Sequence, residues 1–598
     1  MQSLLRLTVY LKRYRYSFGL AVLGMIIARG FEGLIPLFVK TGIDRIAVGQ
    51  AGLADGTLTF AAASAALKDP ALAIVGCVIL QMLVTIAYRI AMRRIGVNAA
   101  YDLRNRLYEH LQRQGPGFYS RYTIGDLMAR AINDITLCRE ILAGAIRMTL
   151  ILLLTAVIGL IFMFSLSPAL TVAILLPMPL IGLVAYLFSK KIYHRSRLVQ
   201  EGFAELSTFV QENLNGIRTV QAMAQEGREI ERFHGVNQDF ADRNLTLFRT
   251  TSFLGALMPI MAASGTLIII AYGSVLLERG DITIGTFAAF FSYLALVLWP
   301  VREAGSLVTQ WQRGASGTAR LFEIMDYEPE IEDRPSNEFP ELTGKITVEN
   351  LSYRYEGKEK YALQDLNFEV AQGETIALIG RVGSGKSTLL RLFVRLLDPT
   401  AGRILLDDHS IDRFPLKFLR ERVCLVLQDP FLFADSLGDN IAYDDPDRDH
   451  QEILEVAHAA ALEETIEGFP EGLNTILGER GVTLSGGQKQ RTALARGLIR
   501  RTPLLILDDC FSAVDTQTEE RILAGLKRVR SDHTTVLVSH RVSTARHADR
   551  IIVLDEGRLI EMGSHDELLA AGGFYAELEE SQRNKLQSND EFGTEVAG

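Results

Sequence analysis

Cysteine is scarce and scattered: four thiols, Cys77, Cys138, Cys424 and Cys510, stand in 598 residues with no CxxC pair among them. That excludes a disulfide-stapled scaffold and a zinc knuckle, and it assigns the soluble part of the chain to the cytosol. A surplus of positive charge is missing as well. The net charge is −9 and no basic stripe occurs, which argues against a nucleic-acid partner, because phosphate binding normally brings clustered Lys and Arg. Charge of either sign is nearly absent from Ile141 to Ser189, where Arg147 is the one charged side chain, whereas beyond about residue 325 charges recur every few positions. An average composition of 48% hydrophobic and 22% charged residues therefore conceals a membrane half and a soluble half, each long enough to bury its own core. A disordered, collagenous or coiled-coil protein is excluded.

A helix needs about 20 mostly apolar residues to cross a bilayer. Six stretches before residue 310 meet or approach that length, roughly 17–45, 71–95, 141–166, 168–189, 252–277 and 283–305. The two long connections, after the second and fourth stretches, carry most of the basic residues, among them Arg104, Arg106, Arg130, Lys190, Lys191 and Arg218, while the loop over 48–70 offers only Lys68. By the positive-inside rule both connections, the N-terminus and the soluble half are cytoplasmic. Helical spacing of Leu103, Leu107 and Leu111, and of Phe203, Leu206 and Val210, predicts that the spans continue as helices into the cytoplasm. Turn signals at Gly115-Pro116-Gly117 and Asn215-Gly216 would reverse each hairpin and leave a short segment at its tip. Arg29 and Glu32 fall in the middle of the first span, and their i,i+3 spacing favours a self-compensating ion pair over a substrate contact. The first 16 residues are basic and amphipathic without a cleavage site, which predicts an interfacial helix and neither a signal nor a peptidase domain.

From about residue 345 short β-rich runs alternate with helical stretches, an α/β domain. One run leads into Gly380-Arg381-Val382-Gly383-Ser384-Gly385-Lys386-Ser387, which fits G-x-x-x-x-G-K-[ST] between a strand and a helix. Glycines let amides curl around phosphate oxygens, Lys386 neutralises β/γ charge, Ser387 can ligate Mg²⁺, and Thr388 follows at the helix start. Leu504-Leu505-Ile506-Leu507-Asp508 is a buried strand ending in a carboxylate suited to the metal's hydration shell. Between them lies Leu484-Ser485-Gly486-Gly487-Gln488, a second set of Ser and Gly amides ahead of a helix. One nucleotide cannot readily use both elements of a single chain, so the second is expected to serve a neighbouring subunit.

With these motifs the chain resembles ATP-binding cassette transporters, specifically exporter half-transporters, over essentially its whole length. Tyr355 is similar to the aromatic that stacks on adenine, Gln428 to the Q-loop, Ser512-Ala513-Val514-Asp515 to the D-loop, and His540 to the switch histidine. The resemblance implies a six-helix transmembrane domain over 17–310 after an elbow helix over 1–16, a linker over 311–344, a nucleotide-binding domain over 345–580, and a disordered polar tail over 581–598. It implies ATP and Mg²⁺ as cofactors. Ser387, Gln428 and Asp508 would stand at the metal. Tyr355, Gly380, Gly383, Ser384, Gly385, Lys386, Ser387 and Thr388, with Ser485, Gly486, Gly487, Gln488 and Asp515, would hold nucleotide, and Asp509, His540 and Gln428 would act in hydrolysis. Two cassettes would close head to tail around two ATP molecules and turn the spans from inward-open to outward-open, with hydrolysis resetting them.

One departure stands out. Most such ATPases have glutamate after the metal-associated aspartate, but here the run is Asp508-Asp509-Cys510. The shorter side chain withdraws its carboxylate by about 1–1.5 Å, and misplacement of that size costs about a hundredfold in rate. The form resembles the degenerate-site subunit of bacterial heterodimeric exporters, whose partner, a different half-transporter, supplies the glutamate. The expected protein is an inner-membrane exporter subunit moving amphipathic, drug-like or lipid-like molecules. Its alternatives are a homodimer with Asp509 as working base and a nucleotide-gated regulatory or channel-like subunit.

Overall fold

The computed structural model describes residues 2–333 and 339–595. It divides into two compact units, Met1–Gln112 with Thr123–Tyr327 and Arg113–Tyr122 with Glu328–Gly598.

Among the described residues, the first unit is built on six helices long and apolar enough to cross a membrane: α1 (Arg15–Ala54), α2 (Phe60–Gln112), α3 (Ile124–Leu166), α4 (Pro168–Asn215), α5 (Glu226–Glu278) and α6 (Ile284–Met325). Helices suit this task because a bilayer offers no partner for a bare N–H or C=O. At 1.5 Å per residue, α5 with its 53 residues is about 80 Å long, more than twice the ~30 Å hydrocarbon thickness. It therefore continues well outside the bilayer, and in α2 and α4 the Leu103–Leu111 and Phe203–Val210 segments are helical as their spacing predicts. Both turn signals leave a short helix at the tip, Pro116–Arg121 and Ile217–Ala222. Ser167 accepts a hydrogen bond from the Leu170 amide at 3.4 Å, and with Pro168 at the first helical position it restarts the chain between α3 and α4.

Three spans converge on Gly33, where an added Cβ would stand 2.7 Å from the Phe162 ring and 2.9 Å from Ile158. The Tyr293 hydroxyl of α6 donates to the Gly33 carbonyl at 2.8 Å, so a buried polar tip is satisfied by the backbone that the missing side chain exposes. At the opposite end from the tips, Asp44 of α1 accepts from the Gly285 amide at 2.8 Å and from the Thr283 hydroxyl at 3.0 Å. A carboxylate at the start of α6 meets the positive end of its dipole. Arg29 and Glu32 pair with each other, the self-compensating arrangement.

Three boundaries differ from those read in the sequence. The linker is shorter than 311–344, because α6 continues to Met325. Its extension is held by close packing on α3, with Gly314 set against Ile141 and Gly317 against Leu137. The N-terminal segment forms two short helices, Gln2–Leu5 and Thr8–Arg13, and is anchored by Arg6, which grips Asp326 through a second nitrogen at 2.9 Å and lies 4.4 Å over the Phe322 ring. The tail expected to be disordered from 581 continues the last helix through Glu595, within Phe574–Glu595. Glu, Gln, Lys and Arg are strong helix formers, and Gln582 is tied to the domain at two points described below. Residues 334–338 of the expected linker and 596–598 of the tail lie outside the described residues.

The second unit carries two sheets. An antiparallel one is ordered β2-β1-β4-β5, from β1 (Ile346–Tyr353), β2 (Leu363–Val370), β4 (Ala401–Leu406) and β5 (His409–Ser410). The larger one is ordered β10-β9-β3-β8-β7-β6, from β3 (Thr375–Gly380), β6 (Val423–Val426), β7 (Leu504–Asp508), β8 (Thr534–Val538), β9 (Arg550–Asp555) and β10 (Arg558–Gly563). In it β9, β3, β8, β7 and β6 run parallel. Every residue of β7 and β8 is buried, as the continuous apolar runs of a parallel sheet require. Leu378 and Asp508 both pair with Val538, so the ends of β3, β7 and β8 lie side by side. Loops leaving such carboxyl ends are where α/β sheets place ligands.

Candidate functional site

The loop after β3 turns into α7 (Lys386–Phe393). Gly383 and Gly385 adopt φ of 84° and 100°, a left-handed backbone that other residues adopt at a cost. At Gly385 a Cβ would also stand 2.6 Å from the Ala362 carbonyl, a backbone atom that cannot move aside. Gly385→Ala is therefore expected to lower unfolding stability by about 2–3 kcal/mol and to abolish nucleotide binding. Melting of the purified transporter at the wild-type temperature would show that the loop can relax.

Lys386 is almost wholly buried. Its ammonium group donates to the Gly380 carbonyl at 2.8 Å, the Arg381 carbonyl at 2.9 Å and the Ser384 hydroxyl at 3.3 Å. Burial pushes its pKa down, opposed by the charges of Asp508 and Asp509. Ser387 donates to Asp508 Oδ1 at 3.4 Å. Thr388 does not face the loop interior alone: its hydroxyl meets the Tyr355 hydroxyl at 3.1 Å, and Tyr353 braces Tyr355 edge-on at 4.9 Å between ring centres. The half-exposed Tyr355 face is thereby fixed beside the glycine-rich loop.

Asp508 and Asp509 close the end of β7. Burial pushes both carboxyl groups above their ordinary pKa, the expected response of an anion removed from water. For these acids the folded chain binds the proton more tightly than the unfolded chain. Their contribution to stability is thus present at low pH and is lost as pH rises through the raised folded values. Asp509 sits in the left-handed region at φ 47°, with its amide bonded to the Val538 carbonyl at 3.1 Å and its carboxylate accepting from Gln428 Nε2 at 3.0 Å. His540 acts electrostatically on both carboxylates, opposing the upward shift that burial imposes. The structure thus gathers Tyr355, residues 380–388, Gln428, Asp508, Asp509 and His540 into one site.

Ser485, Gly486, Gly487, Gln488 and Asp515 form a separate group. Ser485 and Gln488 make a capping box at the start of α8 (Gly486–Leu498), and Gly487 lies against the Ala513 carbonyl. Asp515 caps α9 (Thr516–Val529), accepting from the Thr518 amide at 2.9 Å, which holds its carboxyl below the usual range. Among the described residues no hydrogen bond joins Ser485 to the glycine-rich loop; its side-chain bonds stay within its own cap. Ser485 and Gly486 are exposed and Gly487 is half-exposed at this helix start, where small side chains leave backbone amides near the surface.

Two residues escaped the sequence reading. Gln490 of α8 donates to the Ser512 hydroxyl at 2.9 Å and to the Gln428 carbonyl at 3.5 Å, and accepts from the Ala513 amide at 3.1 Å, linking the Gln428 loop to the Ser512–Asp515 segment. Gln582 accepts from the Val542 amide at 3.0 Å and donates to the His540 carbonyl at 2.7 Å. Nothing local marks either glutamine.

Comparison with known proteins follows the same division. Residues 18–301 match the ABC transporter transmembrane region and residues 363–512 match the ABC transporter family. The ABC transporter ATP-binding protein YknU of Bacillus subtilis is 33% identical over 595 residues, covering 99% of each chain. A Staphylococcus aureus ATP-binding/permease protein whose name assigns it provisionally to multidrug export is 33% identical over 573 residues, covering 95% of this chain and 98% of its own. The structure of a bacterial Atm1-family ABC exporter with ATP bound superposes with a TM-score of 0.77 at 27% identity, covering 96% of this chain and 98% of the other.

Proposed function

The chain belongs to the ABC transporter family, as a multi-pass inner-membrane exporter with its transmembrane region and cytoplasmic ATPase domain fused in one polypeptide, and from that premise we propose that it is the slow-site half of a heterodimer. The observation that carries this reading is Asp509. Its side chain reaches a methylene less far than glutamate, and its carboxylate is fixed by a left-handed backbone and a bond from Gln428. Lys386, the loop amides and Tyr355 would bind ATP tightly at this site, while a different partner chain bearing glutamate would turn over faster. The Ser485–Gln488 helix start would complete the partner's site from outside.

Mg²⁺ suits the residues present. The Ser387 hydroxyl and the Asp508 carboxylate are two oxygen donors 3.4 Å apart, and Gln428 stands close by through Asp509, the set a hard cation shares with phosphate oxygens and water. Bound there, the ion would supply charge neutralisation at the phosphates. Among this chain's own groups, Asp509 would accept the proton of the attacking water and His540 would face the γ-phosphate. For the cargo, a cavity of about 390 Å³ among α4, α5 and α6, lined by Met258, Pro259, Thr266, Phe291 and Leu294, supports an amphipathic molecule with an apolar body.

Mass determination of the purified complex tests the pairing: a second, different chain of similar size is expected, and a pair of identical copies would sink the heterodimer. Ser485→Arg is expected to reduce hydrolysis at the partner's site at least about tenfold and to leave ATP binding at this chain's own loop intact. Site-resolved photolabelling with an ATP analogue reads the two separately, and loss confined to this chain's own site would refute sharing across the pair.

A further inference from the structure

Arg147 is the one charged residue between Ile141 and Ser189, and the pairing of Arg29 with Glu32 has no counterpart around it. Its guanidinium is half-buried, and its single hydrogen bond runs from Nε to the Ala143 carbonyl one turn back in α3, at 3.3 Å. The charges that act on it are those of Arg89 and Arg93, together with the Tyr88 phenol; no carboxylate among the described residues does so. Tyr88 is 2% exposed and its hydroxyl has no hydrogen-bond partner among the described residues. Three guanidinium groups and a buried hydroxyl thus act within one neighbourhood with no carboxylate acting on Arg147, an arrangement that an anion would relieve.

The cluster lies on the seam between α2 and α3. One turn toward the cytoplasm the two helices touch, with a Cβ at Gly96 falling 2.7 Å from Ala143. Arg147 precedes the outer end of α3 at Leu166 by 19 residues, about 28 Å of helix, which is close to the ~30 Å hydrocarbon thickness. The site therefore sits at the cytoplasmic boundary of the bilayer, at head-group depth. Arg89 and Arg93 are exposed one turn apart, and beside them Leu83, Ile86 and Ile90 are exposed at 54%, 48% and 63%, an apolar strip running from the arginines toward the bilayer centre.

We propose that Tyr88, Arg89, Arg93 and Arg147 form a binding site for the phosphate group of a membrane phospholipid, with the acyl chains lying on the Leu83–Ile90 strip. Guanidinium forks match phosphate oxygens two at a time, and four of the five N–H donors of Arg147 have no partner among the described residues. The Tyr88 hydroxyl supplies a further donor. Basic pockets between spans on the cytoplasmic side are suited to anionic head groups. The site does not depend on whether the transporter pairs with an identical or a different chain.

The test uses the assembled transporter in nanodiscs of phosphatidylcholine containing a minor fraction of phosphatidylglycerol, with retained lipids counted by native mass spectrometry. Wild type is expected to retain phosphatidylglycerol about tenfold over its bulk ratio, and Arg147→Gln with Arg89→Gln and Arg93→Gln to lose that preference. Arg147→Lys alone should keep part of the enrichment, since the charge stays and the fork is lost. Unchanged ATP affinity in the triple variant verifies that it is folded. Equal enrichment in wild type and triple variant, or no enrichment in wild type, overturns the site. Displacement of the lipid by millimolar inorganic phosphate overturns the lipid assignment, because a site that needs the acyl chains should not yield to the free ion.

Discussion

Asp509→Glu is expected to raise the ATPase turnover of the assembled complex by about 10- to 100-fold. The added methylene advances the carboxylate by about 1–1.5 Å, the scale on which positioning of a general base changes rate by two orders of magnitude. The environment is already set for such a base. Gln428 holds the acceptor at 3.0 Å, His540 bears on it electrostatically, and burial raises the Asp509 carboxyl pKa, which strengthens it as a base while moving the acid limb of activity to higher pH than an ordinary carboxylate gives. Asp509→Asn keeps the length and removes the proton acceptor. If the partner's glutamate carries most turnover, this variant loses less than about tenfold. A near-complete loss in a steady-state ATPase assay would instead identify Asp509 as the main base, and the heterodimer reading would then lose its support.

The parts of this molecule that the sequence discloses are those whose signal is local. Apolar runs with a basic bias on one side mark the six spans, and fixed spacing marks the loop at Gly380–Ser387 and the Leu484–Gln488 motif, since both chemistries need their residues within a few positions of each other. What it hides depends on pairs far apart in the chain. The extension of α6 to Met325 is decided by Ile141 and Leu137 fitting over Gly314 and Gly317, and the N-terminal anchor by Arg6 meeting Asp326, 320 residues away. Gln582 lies in a polar stretch whose composition alone reads as a loose tail, yet its two bonds to the His540–Val542 backbone tie the last helix to a residue of the candidate site. Ser485 was legible as a small residue ahead of a helix and Asp515 only through the D-loop resemblance; that both cap helices is seen in the fold alone.

In the proposed heterodimer, Lys386→Ala should weaken ATP binding at this chain's own site by about 100-fold or more while leaving the partner's site occupied, so that binding stoichiometry at moderate ATP falls from two per dimer to one. The ammonium group donates to the Gly380 and Arg381 carbonyls at 2.8 and 2.9 Å, which satisfies its buried charge within the loop. Phosphate oxygens would offer it charge-assisted bonds, which the alanine variant cannot make. Its effect on folding runs the other way: burial depresses the Lys386 pKa, meaning that the charged form is less favoured in the folded chain than in the unfolded one. The charge therefore costs stability at neutral pH, and the loss of two carbonyl bonds is partly offset by removing it. Lys386→Ala should accordingly melt close to wild type in the absence of ATP and fail to gain the stabilisation that ATP gives wild type at this site. Thermal melting with and without nucleotide, alongside equilibrium binding, separates these terms. Unaltered affinity at this chain's site would contradict the assignment of Gly380–Ser387 as its phosphate cradle, whereas a large fall in melting temperature without ATP would show that Lys386 serves the fold before it serves the nucleotide.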